Sequence, residues 1–367
     1  MNSIDPQYQE ILRDFHKNSI ETDQGLSIYA KQIFHKMPNG FPLLTTRKIK
    51  WHPIVVELLW CLRGESKIKF LHDYDCHVWD DLCYQNYKSG ILKSIEENSD
   101  STKDKGEFKK FLVLSKKDFF SELREDKEFA EQWGDLGSTV GKFWRNFSTG
   151  VLEKKYDFGG VDQIDRVIQK LTKEDSNLNL VVSSFNPEYL SGHTGDFHSD
   201  YSFQITTREL SLAERIQWVM KNTDVELENV AITEKAFDKS TPGKAISLTW
   251  NQSRLNAFTE LPIMIAKYGL LLETLAKLTN MAAENLVGNF GELFLTPKEF
   301  FESTEQASRT PFPLPTIMIT ERNWYLHENV KQYVGKKDHK EKILSLRPDC
   351  FELINYTSHP EIKTSKK

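Results

Sequence analysis

Hydrophobic residues recur along this chain with two periods, and each period predicts a different kind of element. At the start, Tyr8, Ile11, Leu12 and Phe15 are spaced three or four positions apart or adjacent, which is typical of an amphipathic helix. The following segment LSIYAKQIF is rich in the residue types that strands favour. A second helix is predicted from about Trp51, in the apolar run IVVELLWCL.

The same two kinds of pattern alternate through the rest of the chain. No repeat period is visible. Strands interleaved with long apolar helices indicate a mixed α/β or α+β fold. The predicted elements are a helix over 162–171, strands in NLNLVVSSFN, DYSFQITT, AISLTW and PFPLPTIMIT, and a long apolar helix from Pro262 to about Met281.

Two polar stretches interrupt this pattern, at about 84–134 and about 220–243. The first is rich in lysine and then turns into the helical pattern KKDFFSELREDKEFAEQW. It is interpreted either as an insertion with its own small helical unit or as a flexible surface excursion. We expect one domain over 1–367 that carries both stretches.

Composition narrows the class of protein. Of the 367 residues, 39% are hydrophobic and 28% charged, which excludes a disordered chain. With 48 basic and 53 acidic residues the net charge is −5, so we expect no nucleic-acid partner. The longest apolar run is short and contains Glu57, so no membrane span is expected. Four scattered cysteines and a charged first segment without a signal pattern predict a cytoplasmic protein.

Several motifs follow one another in a distinctive order. They are GFPLLTTRK (40–48), a run from Val55 to Asp81, GDLGSTVGKFWRNF (134–147), VVSSFNPEYL (181–190) and INYTSHPEIK (354–363). Their order and spacing resemble those of thymidylate synthase and its pyrimidine hydroxymethylase relatives. The resemblance implies an α+β fold whose large mixed sheet is packed by helices and forms the interface of a homodimer. It also implies a transferase of one-carbon units in nucleotide metabolism.

The resemblance implies a cysteine nucleophile that this sequence lacks. The family attacks C6 of a pyrimidine with a thiolate, the softest nucleophile available near neutral pH. In the corresponding stretch DFHSDYSFQI, counting back from Gln204 puts Ser199 at that position, and counting forward from Asn186 puts His198 there. A serine without an adjacent base is a very weak nucleophile toward a ring carbon, so the ordinary cycle is expected to be absent.

Other positions of the family site have also changed. Met264 stands where the family has the asparagine that reads the base, and Val140 stands where it has a tyrosine of the site. The phosphate-binding arginine positions hold Ile20, Leu178 and Asn179, so a substrate without a 5′-phosphate is expected. By resemblance, Trp79 and Asn256 stand at folate-contacting positions, and whether a reduced folate is used stays open. The remaining candidate substrate contacts are Gln204, Arg254 and Glu292.

Glu57 occupies the position of the family's catalytic glutamate. A carboxylate inside the apolar run VVELLW is costly to bury without partners. We interpret it as a proton-transfer group, and the alternative is a structural member of a buried polar network.

A new cluster of polar residues replaces the nucleophile segment. In an extended chain Asp196, His198 and Asp200 share one face, where they could bind a divalent metal. His198 could instead be an acid/base group oriented by an aspartate, or the segment could be a solvated loop. Cys76 and Cys83, which flank Trp79, could bring a thiol from another element, although buried cysteines usually act as small hydrophobes.

Two functions follow from these observations. The first is a divergent enzyme of this superfamily, which acts on a nucleoside-like or heteroaromatic small molecule through acid/base groups. The second is a catalytically inactive relative that serves as a binding or regulatory subunit. Clustered new polar groups favour the first, because loss of function alone does not gather histidines and aspartates.

Overall fold

A six-stranded mixed sheet lies at the centre of the part of the chain that the computed structural model describes. The strands are β1 (Ile20–Thr22), β2 (Gly25–Lys36), β3 (Leu180–Ser183), β4 (Ser202–Glu209), β5 (Lys244–Asn256) and β6 (Ala282–Leu295), and their order across the sheet is β1-β2-β6-β5-β4-β3. The described residues are 3–23, 25–97, 113–137, 139–147, 160–173, 180–185, 202–222, 229–320 and 339–362.

Helices account for most of the remaining described residues. Outside the main sheet, β7 (Thr316–Ile319) and β8 (Phe351–Ile354) form an antiparallel pair. The helices are α1 (Ile4–Asn18), α2 (Trp51–Arg63), α3 (Lys69–Asp73), α4 (Asp80–Glu97), α5 (Lys116–Glu125), α6 (Lys127–Trp133), α7 (Val140–Arg145), α8 (Gln163–Thr172), α9 (Leu212–Asn222), α10 (Asn229–Phe237), α11 (Leu261–Thr279), α12 (Glu299–Ser308) and α13 (His339–Ser345).

One pair of neighbouring strands in the sheet is parallel. Strands β5 and β6 run parallel, and the other neighbouring pairs are antiparallel. A parallel pair needs a long crossover, and α11 supplies it. Most residues of α11 are buried, because it packs on β5, β6, α2 and α8 at once. Its nearly all-apolar sequence is therefore the pattern of a central helix rather than of a surface helix.

The sequence predictions of α1, β2, α2, α8, β4, β5, α11 and β7 are confirmed, and so is the α+β class with a large mixed sheet packed by helices. Strand β6 and helix α12 were not predicted. The signal for β6 was present, since Leu286, Gly288 and Phe290 alternate with less buried residues. Its asparagines and glycines hid that alternation, because they are residue types that strands usually lack.

The described parts of the first polar stretch form helices around a cluster of aromatic rings. The Tyr87 ring lies 4.7 Å from Phe119 and 5.1 Å from Trp133, measured between ring centroids. Helix α4 begins before this stretch, so the chain enters it already helical. In the second stretch, the described residues belong mainly to the C-terminal end of α9 and to α10.

No helix within the described ranges has both the length and the apolar character that crossing a bilayer requires.

Candidate functional site

A cavity of about 590 Å³ opens between α2, α7 and α11. Aromatic side chains form much of its wall, namely Trp60, Trp79, Trp144 and Tyr268. Helix α7 approaches α2 closely because it carries Gly141, where a Cβ atom would lie only 2.5 Å from the Cα of Cys61. Large flat rings around a partly enclosed space suit a planar ligand.

Two opposite charges meet inside this cavity. The Nζ atom of Lys267 lies 3.0 Å from Oε1 of Glu57, and the two side chains are only 10% and 11% exposed. Glu57 comes from α2 and Lys267 from α11, the two most apolar helices of the fold. Either charge alone would be expensive to bury, so each offsets the desolvation of the other.

Sequence reasoning identified Glu57 and missed Lys267. The signal was the same in both cases, a charged residue within a long apolar helix, here IMIAKYGLL. The resemblance to a known family drew attention to the first position only.

Cys61 lies one helical turn after Glu57 and also lines the cavity. Burial raises the pKa of the Cys61 thiol to about 11, and the nearby Lys267 ammonium offsets this shift only in part. The group is therefore a neutral thiol at physiological pH and a poor nucleophile.

Cys76 and Cys83 are fully buried and are absent from the described wall of the cavity. Burial raises their pKa values to about 11 and about 12. The Cys83 Sγ atom donates to the Trp133 carbonyl at 3.4 Å. These observations favour the interpretation of both as small hydrophobic residues.

The rim of the cavity is basic on one side, where Arg47, Lys48 and Lys50 line it. Asp5 holds this segment, because its carboxylate accepts hydrogen bonds from the backbone N–H and hydroxyl groups of Thr45 and Thr46. The segment is therefore a fixed wall rather than a loose loop.

Arg47 is the most constrained of these cations. Its guanidinium lies 4.2 Å from the centroid of the Phe258 ring, and Nη2 donates to the Phe258 carbonyl. Within the described part of the chain, its buried Nε has no hydrogen-bond partner. Glu260 faces the same cavity, and burial raises the pKa of that carboxyl.

Glu57 and Trp79 line the same cavity, together with Val140 and Met264. These are the residues that the structure brings together. Trp79 forms part of the wall, and Met264 adds an apolar side chain to it.

Asn256 does not line the described cavity, although its neighbour Leu255 does. Its Nδ2 donates to Glu299 at 2.8 Å, and its Oδ1 accepts from the backbone of Phe258 and Thr259 at 2.8 Å. These bonds shape the turn that starts α11.

Arg254 and Glu292 pair with each other across β5 and β6. The Arg254 Nε atom lies 3.1 Å from Glu292 Oε2, and Ser27 donates to the other oxygen of Glu292 at 2.7 Å. The Arg254 guanidinium also covers the Phe294 ring at 4.3 Å. Gln204 lies on β4 between Val181 and Thr249, and none of these three candidate residues lines the described cavity.

Asp196, His198, Ser199 and Asp200 lie outside the described residues. Their role as acid/base groups or metal ligands remains a prediction from the sequence.

Comparison with known proteins assigns the chain to a family. The family model described as thymidylate synthase matches residues 6–366. The chain is 28% identical over 340 residues to a thymidylate synthase of Mycoplasma pneumoniae, an alignment that covers 92% of this chain and 90% of that protein. It is 27% identical over 351 residues to a thymidylate synthase of Malacoplasma penetrans, with 95% and 92% covered. A thymidylate synthase of Mycoplasma mobile is 25% identical over 357 residues, with 97% and 96% covered.

Proposed function

Since the chain belongs to the thymidylate synthase family, we propose that it is a divergent enzyme that acts on a nucleoside-like or heteroaromatic molecule bound in the cavity. The observation that carries this proposal is the Glu57–Lys267 ion pair inside an aromatic wall. Its chemistry would be acid/base rather than covalent catalysis. We propose the cytoplasm as its location, because cysteines stay reduced there and the four cysteines of this chain are free and buried.

The Glu57–Lys267 ion pair matches one particular pattern of hydrogen-bonding groups on the edge of a ligand ring. An ammonium donates hydrogen bonds and a carboxylate accepts them. A ring that carries a C=O next to an N–H offers the matching groups, so Lys267 would donate to its oxygen and Glu57 would accept from its nitrogen. Planar lactam and imide rings have this edge, and the tryptophan rings of the wall would stack on their faces.

The same pair can move a proton. In this scheme the ring N–H proton passes to the Glu57 carboxylate, and the negative charge that develops on the ring oxygen is stabilised by the Lys267 ammonium. Such a step needs no thiolate, which agrees with the raised pKa of Cys61. His198 and Asp200 are proposed as further acid/base groups, on the sequence alone.

The basic rim supports a ligand with an anionic tail. Arg47, Lys48 and Lys50 would bind a carboxylate, and Trp79 would stack against an adjoining ring. A reduced folate has both features, and it would supply a one-carbon unit when bound. A folate-dependent methyl or hydroxymethyl transfer is therefore the finer form of the proposal.

The assembly is proposed to be a homodimer formed through the sheet. Large hydrophobic side chains are exposed on or next to β2 and β3, among them Tyr29, Phe34, Val181 and Phe185. Large apolar side chains exposed on a sheet are typical of a surface that a second copy covers.

The test compares purified protein with the variants Glu57→Gln and Lys267→Met. Uridine, deoxyuridine and dUMP are each incubated with and without methylenetetrahydrofolate, and products are identified by mass spectrometry. We expect turnover of an unphosphorylated ring, a loss on the order of 10²-fold or more in Glu57→Gln, and no covalent adduct with fluorinated dUMP. The matched control is Lys67→Met, which breaks an exposed pair with Glu131 and should leave turnover unchanged.

A fluorinated dUMP adduct, or full activity in Glu57→Gln, would contradict the proposal. A second candidate function is the inactive binding or regulatory subunit. Arg254 and Asn256 stand at contact positions of the family, but their side chains are engaged by Glu292 and Glu299 within the protein, and this favours the second candidate. That candidate predicts ligand binding without product under every condition of the test.

A further inference from the structure

Outside the cavity, a tight turn between α3 and α4 gathers two histidines and two aspartates. The backbone N–H groups of Asp75 and Cys76 donate to the carbonyls of His72 and Leu71 at 3.0 and 2.9 Å. Asp75 has the left-handed value φ 51°, so the chain reverses sharply there. The reversal brings His77 back against His72, and their ring centroids are 5.1 Å apart.

Both imidazoles face the same carboxylate. The His72 Nε2 atom lies 2.7 Å from Asp80 Oδ1, and the His77 Nδ1 atom lies 3.0 Å from Asp80 Oδ2. One ligand atom from each of these three residues lies within 4.8 Å of the others. We propose that His72, His77 and Asp80 form a binding site for a borderline divalent cation such as Zn²⁺ or Co²⁺.

The choice of cation follows from the donor atoms. Imidazole nitrogen and carboxylate oxygen are the ligands of zinc-type sites, with bond lengths of about 2.0–2.2 Å. Ligand atoms around such an ion lie about 3.3–3.6 Å apart, by tetrahedral geometry at those bond lengths. Small side-chain adjustments would place the three ligand atoms around an ion, with water at the remaining position.

The surroundings of His77 are consistent with this site when its imidazole is neutral. Its Nε2 atom lies 3.1 Å from Asp75 Oδ1, while its Nδ1 faces Asp80. A neutral imidazole carries one N–H and can donate to only one of these carboxylates. With the N–H directed to Asp75, the Nδ1 lone pair points at a carboxylate oxygen, an arrangement that a cation between them stabilises.

Asp75 then has the role of an orienting partner. Histidine ligands of metal ions commonly donate their second N–H to a carboxylate, which fixes the tautomer and raises the basicity of the ligating nitrogen. The site is also accessible to an ion from solvent, since the His77 side chain is 54% exposed, while those of His72 and Asp80 are only 13% and 16% exposed. One side is anchored in the protein, and the other is open to the entry of an ion.

Position in the fold suggests what a bound ion would do. Val78 and Trp79, which line the cavity, lie between His77 and Asp80. The Phe120 ring of α5 packs edge-on against His72 at 5.4 Å. A cation here would therefore hold the Trp79 segment in place and link it to the helices of the first polar stretch. This inference does not depend on the proposed function.

The test uses the full chain freed of metal by chelation and titrated with Co²⁺, whose visible absorption reports nitrogen and oxygen coordination. Zn²⁺ competition is followed in the same cuvette. We expect one equivalent of Co²⁺ to bind, His77→Gln to abolish the absorption, and Asp75→Asn to weaken affinity about 10- to 100-fold. His16→Gln, which changes an exposed histidine elsewhere, is the matched control and should bind as the parent does.

Three outcomes would overturn the proposal. They are no Co²⁺ absorption in the parent, unchanged binding in His77→Gln, and loss of binding in His198→Asn alone, which would locate the ion at the other histidine. Because His77 is exposed, its substitution should leave the fold intact, which circular dichroism verifies. If Asp80→Asn fails to fold, His77→Gln still decides the question.

Discussion

The ammonium of Lys267 lies 3.0 Å from the carboxylate of Glu57, although the two residues belong to different helices that are far apart in sequence. Helices α2 and α11 bring them together because each is apolar enough to be buried against the other. Removing one partner of a buried ion pair leaves an uncompensated charge, whereas removing both leaves none. The pair can therefore be tested by stability as well as by turnover.

The first prediction concerns this pair. Lys267→Met should destabilise the fold by about 3 kcal/mol or more, because it leaves the Glu57 carboxylate buried without its cation. Adding Glu57→Gln should recover much of that loss. Urea unfolding of the parent, both single variants and the double variant measures the coupling, and additive effects would contradict the prediction. The exposed Lys69–Asp73 pair is the control and should change stability by less than about 1 kcal/mol when Lys69 is replaced by Met.

The second prediction concerns the four cysteines, all of which are buried and free. Burial raises the thiol pKa values of Cys61, Cys76 and Cys83, so these thiolates are scarce at pH 8 as well as inaccessible. The native protein should react slowly with Ellman's reagent, and all four thiols should react in guanidinium. Rapid reaction of one native thiol would refute this, and its identification as Cys61 by mass spectrometry would make Cys61 a candidate nucleophile.

The third prediction is a dependence of stability on pH through Glu273 of α11. Burial raises the pKa of this carboxyl from 4.5 to about 7. The folded state therefore holds the proton more tightly than the unfolded state, and stability falls as the pH rises from about 4.5 through about 7. Glu273→Gln should remove this loss and gain about 3 kcal/mol over the parent at pH 8, with little gain at pH 4. Urea unfolding at both pH values measures the difference in unfolding free energy between variant and parent. A gain that does not depend on pH would contradict the raised pKa of Glu273.

The fourth prediction is the oligomeric state. A homodimer has twice the chain mass of 42.7 kDa, and light scattering at micromolar concentration should find it. Val181 is 59% exposed and Tyr29 50% exposed, so Val181→Asp and Tyr29→Asp should leave the single chain stable while weakening association. A parent protein with the mass of one chain would contradict the prediction, and Phe301→Asp, which alters an exposed ring on α12, serves as the control.

Local pattern was sufficient to predict several features of this protein. The spacing of Tyr8, Ile11, Leu12 and Phe15 predicted α1, and the unbroken apolar runs predicted that α2 and α11 are buried. These elements depend on neighbours within one or two helical turns, which any sequence displays directly. Glu57 needed the family resemblance as well, because Lys267 carries the same local signal, a charge within an apolar run, and was missed.

Only the tertiary structure decided which side chains meet. Lys267 stands opposite Glu57 because two helices cross at those positions, and Asn256 and Arg254 are engaged by Glu299 and Glu292 because of the turn and the strand register around them. The His72–His77–Asp80 cluster likewise depends on a left-handed residue at Asp75. Helix packing, strand register and single backbone angles are set by the whole fold, and they fix distances between residues that have no short-range relationship in the sequence.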